Sequence, residues 1–153
     1  MGARKKFGLI IGTCMVFVLS TGCKDSGTDP DPNGPESTFP DILAITNPWG
    51  GETFYIGDTV RVTWKADTSP STQLSGLKIC LSADGGADYH TTKPLNVNEG
   101  QIDPAGSYRW IIGSEAYAEI AALLPSEECR ILVVDYQKSE IYSESGIFKV
   151  KRR

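Results

Sequence analysis

The stretch TVRVTWK, residues 59–65, decides the fold of this chain. Val60, Val62 and Trp64 fall on one side of an extended backbone, and Arg61, Thr63 and Lys65 on the other. Successive side chains of a strand point to opposite faces, so a period of two means a strand with one dry and one wet face. The same alternation recurs in LKICLS, where Leu77, Ile79 and Leu81 share a side, and in SYRWI, which pairs Tyr108 with Trp110. GIFKVK closes the chain with Phe148 and Val150 facing in, and ECRILVVDY is apolar on almost every position. Glycines and asparagines at 47–51, 57, 84–86, 96–100 and 106 supply turns between these runs. Roughly seven short strands in about 110 residues predict an all-β, antiparallel β-sandwich over residues 41–153.

One segment departs from this pattern. SEAYAEIAALLP spaces Tyr117, Ile120, Ala121 and Leu124 at helical intervals, with Ser114 as N-cap and Pro125 as stop. It predicts one short helix at about 114–124, packed over an end of the sandwich.

The chain has 153 residues, one domain's worth, and its 40% apolar and 22% charged content suffices for an ordinary core. Its formal charge is −4. That balance argues against a nucleic-acid partner, which would need clustered Lys and Arg to neutralise phosphates. The basic cluster KVKRR, residues 149–153, reads as a solvated tail.

Arg4, Lys5 and Lys6 precede a largely apolar run from Phe7 to Leu19, followed by Ser20, Thr21, Gly22 and Cys23. A basic start, a short apolar stretch and small residues make a secretory signal. An apolar helix of that length reaches about 20 Å, well short of the ~30 Å hydrocarbon core, so a permanent span is the weaker reading. Leu19-Ser20-Thr21-Gly22-Cys23 resembles the lipobox of bacterial lipoproteins, with Ser20 where Leu is usual. The resemblance implies cleavage between Gly22 and Cys23, a leader at 1–22, and acylation of Cys23 as the membrane anchor. Two or three acyl chains hold a protein stably. Lys24 follows, so the aspartate that retains some lipoproteins at the inner membrane is absent; in a Gram-negative host this implies the outer membrane. Removing Arg4, Lys5 and Lys6 with the leader takes three positive charges from −4, leaving −7.

Residues 24–40, KDSGTDPDPNGPESTFP, hold four of the nine prolines and few apolar side chains. They cannot bury enough surface to fold and read, with Cys23, as a lipidated, disordered tether at 23–40. Asp29, Asp31, Asn33 and Gly34 match the start of a calcium loop, but the position of its bidentate Glu is Pro40, so no metal site is assigned.

ITNPWGGETFYIGDTVRVTW, then LSADGG, GSYRW, CRILVVD and SGIFKV, resemble the Ig-like domain at the N-terminus of yeast cell-wall-synthesis proteins, a family that includes Ser/Thr-rich, GPI-anchored surface proteins. The similarity covers about residues 43–150. It implies an Ig-like (fibronectin III-like) sandwich, a link to cell-wall polysaccharide, and no catalytic residues. LSADGGADY also resembles the Asp-box of sialidase-like propellers through Ser82, Asp84, Gly86 and Tyr89. A single copy reads as a hairpin turn.

Chemistry is sparse. His90 is the only histidine, so every Ser-His-Asp or Cys-His arrangement must pass through it, and it has no nucleophile signature nearby. His90 with Cys80 and Cys129 makes no zinc spacing. No cofactor is implied. Cys80 and Cys129 remain as a candidate disulfide in an oxidising compartment. Alternation places Cys80 outward with Lys78 and Ser82, which disfavours a core-crossing bond; a surface bond would need Cys129 outward too. Trp49 lies in the turn NPWGGE, where it either stacks a pyranose ring or folds back over the sandwich end. Tyr89, Tyr136 and Tyr142, and also Tyr55, are candidate stacking partners. The expectation is a lipid-anchored, exported, non-catalytic envelope module for surface polysaccharide or protein. The rivals are an accessory subunit of a surface complex and a carboxylate-based glycoside-active enzyme.

Overall fold

The structure, a computed structural model, describes residues 34–91, 93–96 and 100–153. The leader at 1–22, Cys23 and the tether up to residue 33 lie outside them. Nine strands form among the described residues: β1 (Glu36–Ser37), β2 (Leu43–Asn47), β3 (Thr53–Tyr55), β4 (Thr59–Ala66), β5 (Leu77–Ser82), β6 (Tyr108–Ile111), β7 (Ser126–Asp135), β8 (Tyr142–Glu144) and β9 (Phe148–Lys151). They build an all-β sandwich of a three-stranded sheet, β2-β4-β6, against a six-stranded one.

β7 is the spine of the larger sheet. One edge pairs with β5, from Leu77↔Asp135 to Ser82↔Arg130. The other is shared: β8 pairs with Leu132–Val134, and β9 continues the same ladder through Cys129↔Phe148 and Ser126↔Val150. β8 and β9 are thus one strand interrupted at residues 145–147. There the Ser145 N–H donates to the Ile131 carbonyl at 2.8 Å, and the Ile131 N–H to the Ser145 hydroxyl at 2.9 Å. That interruption, with the short β1 and β3, raises the strand number above the expected seven. β3 runs parallel to β9, so this sheet is mixed, not wholly antiparallel.

The alternation holds in three dimensions. Val60, Val62 and Trp64 of β4 face Leu77, Ile79 and Leu81 of β5 across a core closed by Trp110, Ile131, Val133, Phe148 and Val150. Trp64 buries its ring and donates its Nε1–H to the Pro104 carbonyl at 2.7 Å, so its one polar atom is satisfied.

Four expectations are corrected. The folded chain begins earlier than residue 41: β1 lies within the stretch assigned to the tether and pairs with β8. Few apolar side chains are needed there, because backbone bonds and the hydroxyls of Ser37 (to Leu43 O, 2.5 Å) and Thr38 (to Glu140 O, 2.8 Å) hold it. The helix is shorter than 114–124, a 3-10 turn at Glu115–Tyr117 and one α-turn, α1 (Ala118–Ala121). Its cap is as expected, with the Ser114 hydroxyl accepting the Ala116 N–H at 3.3 Å. The KVKRR end is not a free tail, since Lys149 and Lys151 of β9 meet Glu127, and Arg153 meets Asp58 at 2.6 Å. LSADGGADY is not a hairpin either. After β5 the chain turns on Gly85 and Gly86, then runs beside β5 instead of forming a second strand. His90, Leu95 and Ile102 each donate a backbone N–H to this edge, and the Asn96 carboxamide bonds Ile79 N and Leu77 O. The edge is therefore closed to other strands.

A tyrosine-walled pocket on the outer sheet face as candidate functional site

The register of β7 explains why ECRILVVDY is apolar on both faces. Cys129, Ile131 and Val133 enter the inter-sheet core, which turns Arg130, Leu132 and Val134 outward. Exposed apolar side chains would be costly there, and they are not exposed. With Cys80 of β5 they form a second small core under Tyr89 and Tyr142.

The turn before Tyr89 is built to lay that ring down. The Ser82 hydroxyl accepts the Gly86 N–H at 2.9 Å, and Asp84 Oδ1 accepts the Asp88 N–H at 3.0 Å. Gly86 has φ +100°, and a Cβ there would lie 3.3 Å from the Tyr89 hydroxyl and 3.4 Å from Arg130 Cδ. Only glycine fits both the backbone and the space.

Between the two tyrosines lies an open pocket of about 330 Å³. Leu132 and Val134 make its floor, Tyr89 and Tyr142 its walls, and Lys78, Thr91, Ser139 and Glu144 its polar rim. Lys78 Nζ sits 5.1 Å above the Tyr136 ring, a cation–π contact that fixes the rim cation. Behind the wall, the buried Arg130 guanidinium places Nη1 3.3 Å from Glu144 Oε2. Glu36 of β1 stands opposite Glu144 in the ladder. Arg130 Nε and the Tyr89 hydroxyl are buried without a hydrogen-bond partner among the described residues. Burial first, then the negative charge of Glu144, pushes the Tyr89 hydroxyl far up, so it stays protonated at every physiological pH. Burial also pushes the Cys80 thiol up to about 11, which makes it a packing group, not a thiolate nucleophile.

The arrangement suits a ligand with an apolar face and a polar edge. A slightly larger recess of about 360 Å³ lies between Lys93–Pro94 and Glu115–Ile120. No aromatic side chain lines it, and the Lys93–Glu119 ion pair on its wall is exposed.

Of the candidate stacking residues, the structure brings Tyr89 and Tyr142 together and sets Tyr136 beside them through Lys78. Trp49 is elsewhere. Its loop is held by Glu52, which accepts the Trp49 and Gly50 N–H groups at 2.8 and 2.7 Å, and the Trp49 carbonyl accepts from Gly146. Its ring is 59% exposed and does not fold over the sandwich end. Tyr55 is exposed on β3. The candidate Cys80–Cys129 disulfide is absent: both are free thiols, Cys129 in the main core and Cys80 on the opposite face of the sheet. Gly22 and Cys23 lie outside the described residues. Lys78, Leu132, Val134, Ser139 and Glu144 were not anticipated; the signal was the two-faced apolarity of ECRILVVDY. No helix among the described residues is long and apolar enough to cross a membrane. No protein-family model, no curated protein and no solved structure matches the chain.

Proposed function

We propose that this chain is a lipid-anchored, non-catalytic module of a bacterial cell envelope, exported by its leader and tethered through acylated Cys23. Its Ig-like domain binds a sugar ring of a surface polysaccharide in the tyrosine pocket. The observation that carries this reading is Tyr89 and Tyr142 standing over Leu132 and Val134 inside a rim of Lys78, Ser139 and Glu144. A pyranose has the matching character, with apolar C–H faces and hydroxyls around its edge. Support for the Ig-like reading comes from β2-β4-β6 facing β5-β7-β8/β9, the A-B-E over C-F-G order of such domains without strand D.

The test titrates the full chain with neutral β-glucan and peptidoglycan-strand oligosaccharides, following tyrosine fluorescence. Saturable binding that drops at least tenfold in Tyr142→Ala is expected. Unchanged affinity in that variant would sink the pocket reading. The exposed Trp49 favours a second reading, an accessory subunit that docks a surface protein through this loop. Capture of an envelope protein lost in Trp49→Ala, with no oligosaccharide binding, would establish it in place of the first.

A further inference from the structure

The outer face of the three-stranded sheet gathers basic side chains that no other described residue pairs. Among the described residues, five basic side chains meet a carboxylate, Lys78 meets the Tyr136 ring, and Lys138 meets two backbone carbonyls. Arg61, Lys65 and Arg109 have no such partner among the described residues, and all three point outward from β4 and β6. Arg61 stands directly opposite Arg109 in the ladder. Like charges at that position repel, so the pairing disfavours the fold by itself and calls for an external counter-charge. Lys65 lies four residues along β4, about 13 Å from Arg61 on the same face. The other outward positions of this face are Ala44, Thr46, Asn47, Thr59, Thr63 and Ile111, none of them acidic, although the whole chain carries −4.

We infer that this face binds a linear polyanionic polysaccharide. The cations are spread along a strand, which suits anions repeating along a polymer better than one small ion. Two guanidinium forks side by side can each take an anion through paired N–H donors. The threonines between them offer hydroxyls to sugar oxygens. Three cations fall below the four to eight basic residues that read as an anionic-membrane site. A protein interface would need a desolvated apolar centre, and Ile111 is the one large apolar side chain on this face. The inference is independent of the tyrosine pocket, which opens on the opposite side of the sandwich.

The experiment measures binding of the full chain to polygalacturonate, to dextran sulfate, and to dextran as the neutral control. Both polyanions should bind and dextran should not, and affinity should fall by about tenfold as salt rises from about 50 to 200 mM. The double variant Arg61→Gln/Arg109→Gln should lose at least tenfold in affinity and most of the salt dependence. Its thermal midpoint should be no lower than that of the parent, since a repelling pair is removed, which separates lost binding from lost folding. Arg152→Gln, an unpaired cation off this face, should bind like the parent. Tyr142→Ala should keep full polyanion affinity, and loss there would overturn the inference by moving the binding to the pocket. Equal binding to dextran, parental affinity in the double variant, or binding to phosphatidylglycerol vesicles but to neither polymer would also overturn it.

Discussion

Ser75 and Asp135 clasp the end of the β5–β7 pair: the Asp135 carboxylate accepts the Ser75 N–H at 2.7 Å and the Ser75 hydroxyl at 2.8 Å. It also accepts the N–H groups of Gln137 and Lys138 at 2.9 and 2.7 Å, so the buried charge is fully served. Burial alone would raise its pKa, but the bonds from Ser75, Lys138 and Gln137 outweigh that and hold it below the ordinary 3.8. A carboxyl depressed on folding contributes stability that is complete above its unfolded pKa and disappears as pH falls through the folded one. Urea midpoints should therefore drop below about pH 4 in the parent. In Asp135→Asn that acid limb should flatten, with a loss of about 1–3 kcal/mol at neutral pH. Parallel pH profiles would refute this.

Cys80 and Cys129 should react with a thiol reagent only after unfolding, because both are fully buried and burial holds each near 11. Intact mass with and without reductant should show no hydrogen difference for this pair. A mass two hydrogens lighter before reduction would mean the sheet can open far enough to bridge its faces.

Glu144→Gln should destabilise the domain by about 3 kcal/mol, since the buried Arg130 guanidinium would lose its close carboxylate partner. The same change should lower the Tyr89 pKa, because the Glu144 charge is the main cause after burial of its rise. Urea midpoints of the two proteins read the loss of stability; equal midpoints would contradict the buried pairing.

Starting the domain at residue 41 should cost about 2 kcal/mol relative to starting at 34, through loss of the Ser37 and Thr38 bonds and the β1–β8 pairing. Comparing denaturation midpoints of the two versions tests it. Equal stability would return β1 to the tether.

Gly86→Ala should lose about 1–3 kcal/mol from the left-handed backbone alone. It should also push Tyr89 off Cys80 and Leu132, given the 3.3 Å approach. The readout is exposure of Cys80 to thiol reagents in the folded protein; continued protection would show that the loop adjusts without moving the ring.

The strands legible from composition and spacing are β4, β5, β6, β7 and β9; β2 has five residues, but a register shift between Ile45 and Asn47 breaks its alternation. β1, β3 and β8 have two or three residues each, too few for any period, and exist because a neighbour offers a free edge. The candidate site was half legible. Tyr89 and Tyr142 stood out as aromatics, whereas Leu132, Lys78 and Glu144 meet only because β5, β7 and β8 align in one register.

Residue spacing alone determined the sandwich class, the core tryptophans Trp64 and Trp110, and the outward direction of Cys80, because strand facing is a local property of the backbone. Tertiary structure decided what lies opposite each outward side chain. It set Arg61 against Arg109, covered Leu132 with Tyr89, left Trp49 in solvent and parted Cys80 from Cys129. Those outcomes depend on strand register and on how loops cross the sheets. Both are fixed by contacts between residues far apart in the chain, which no local period encodes.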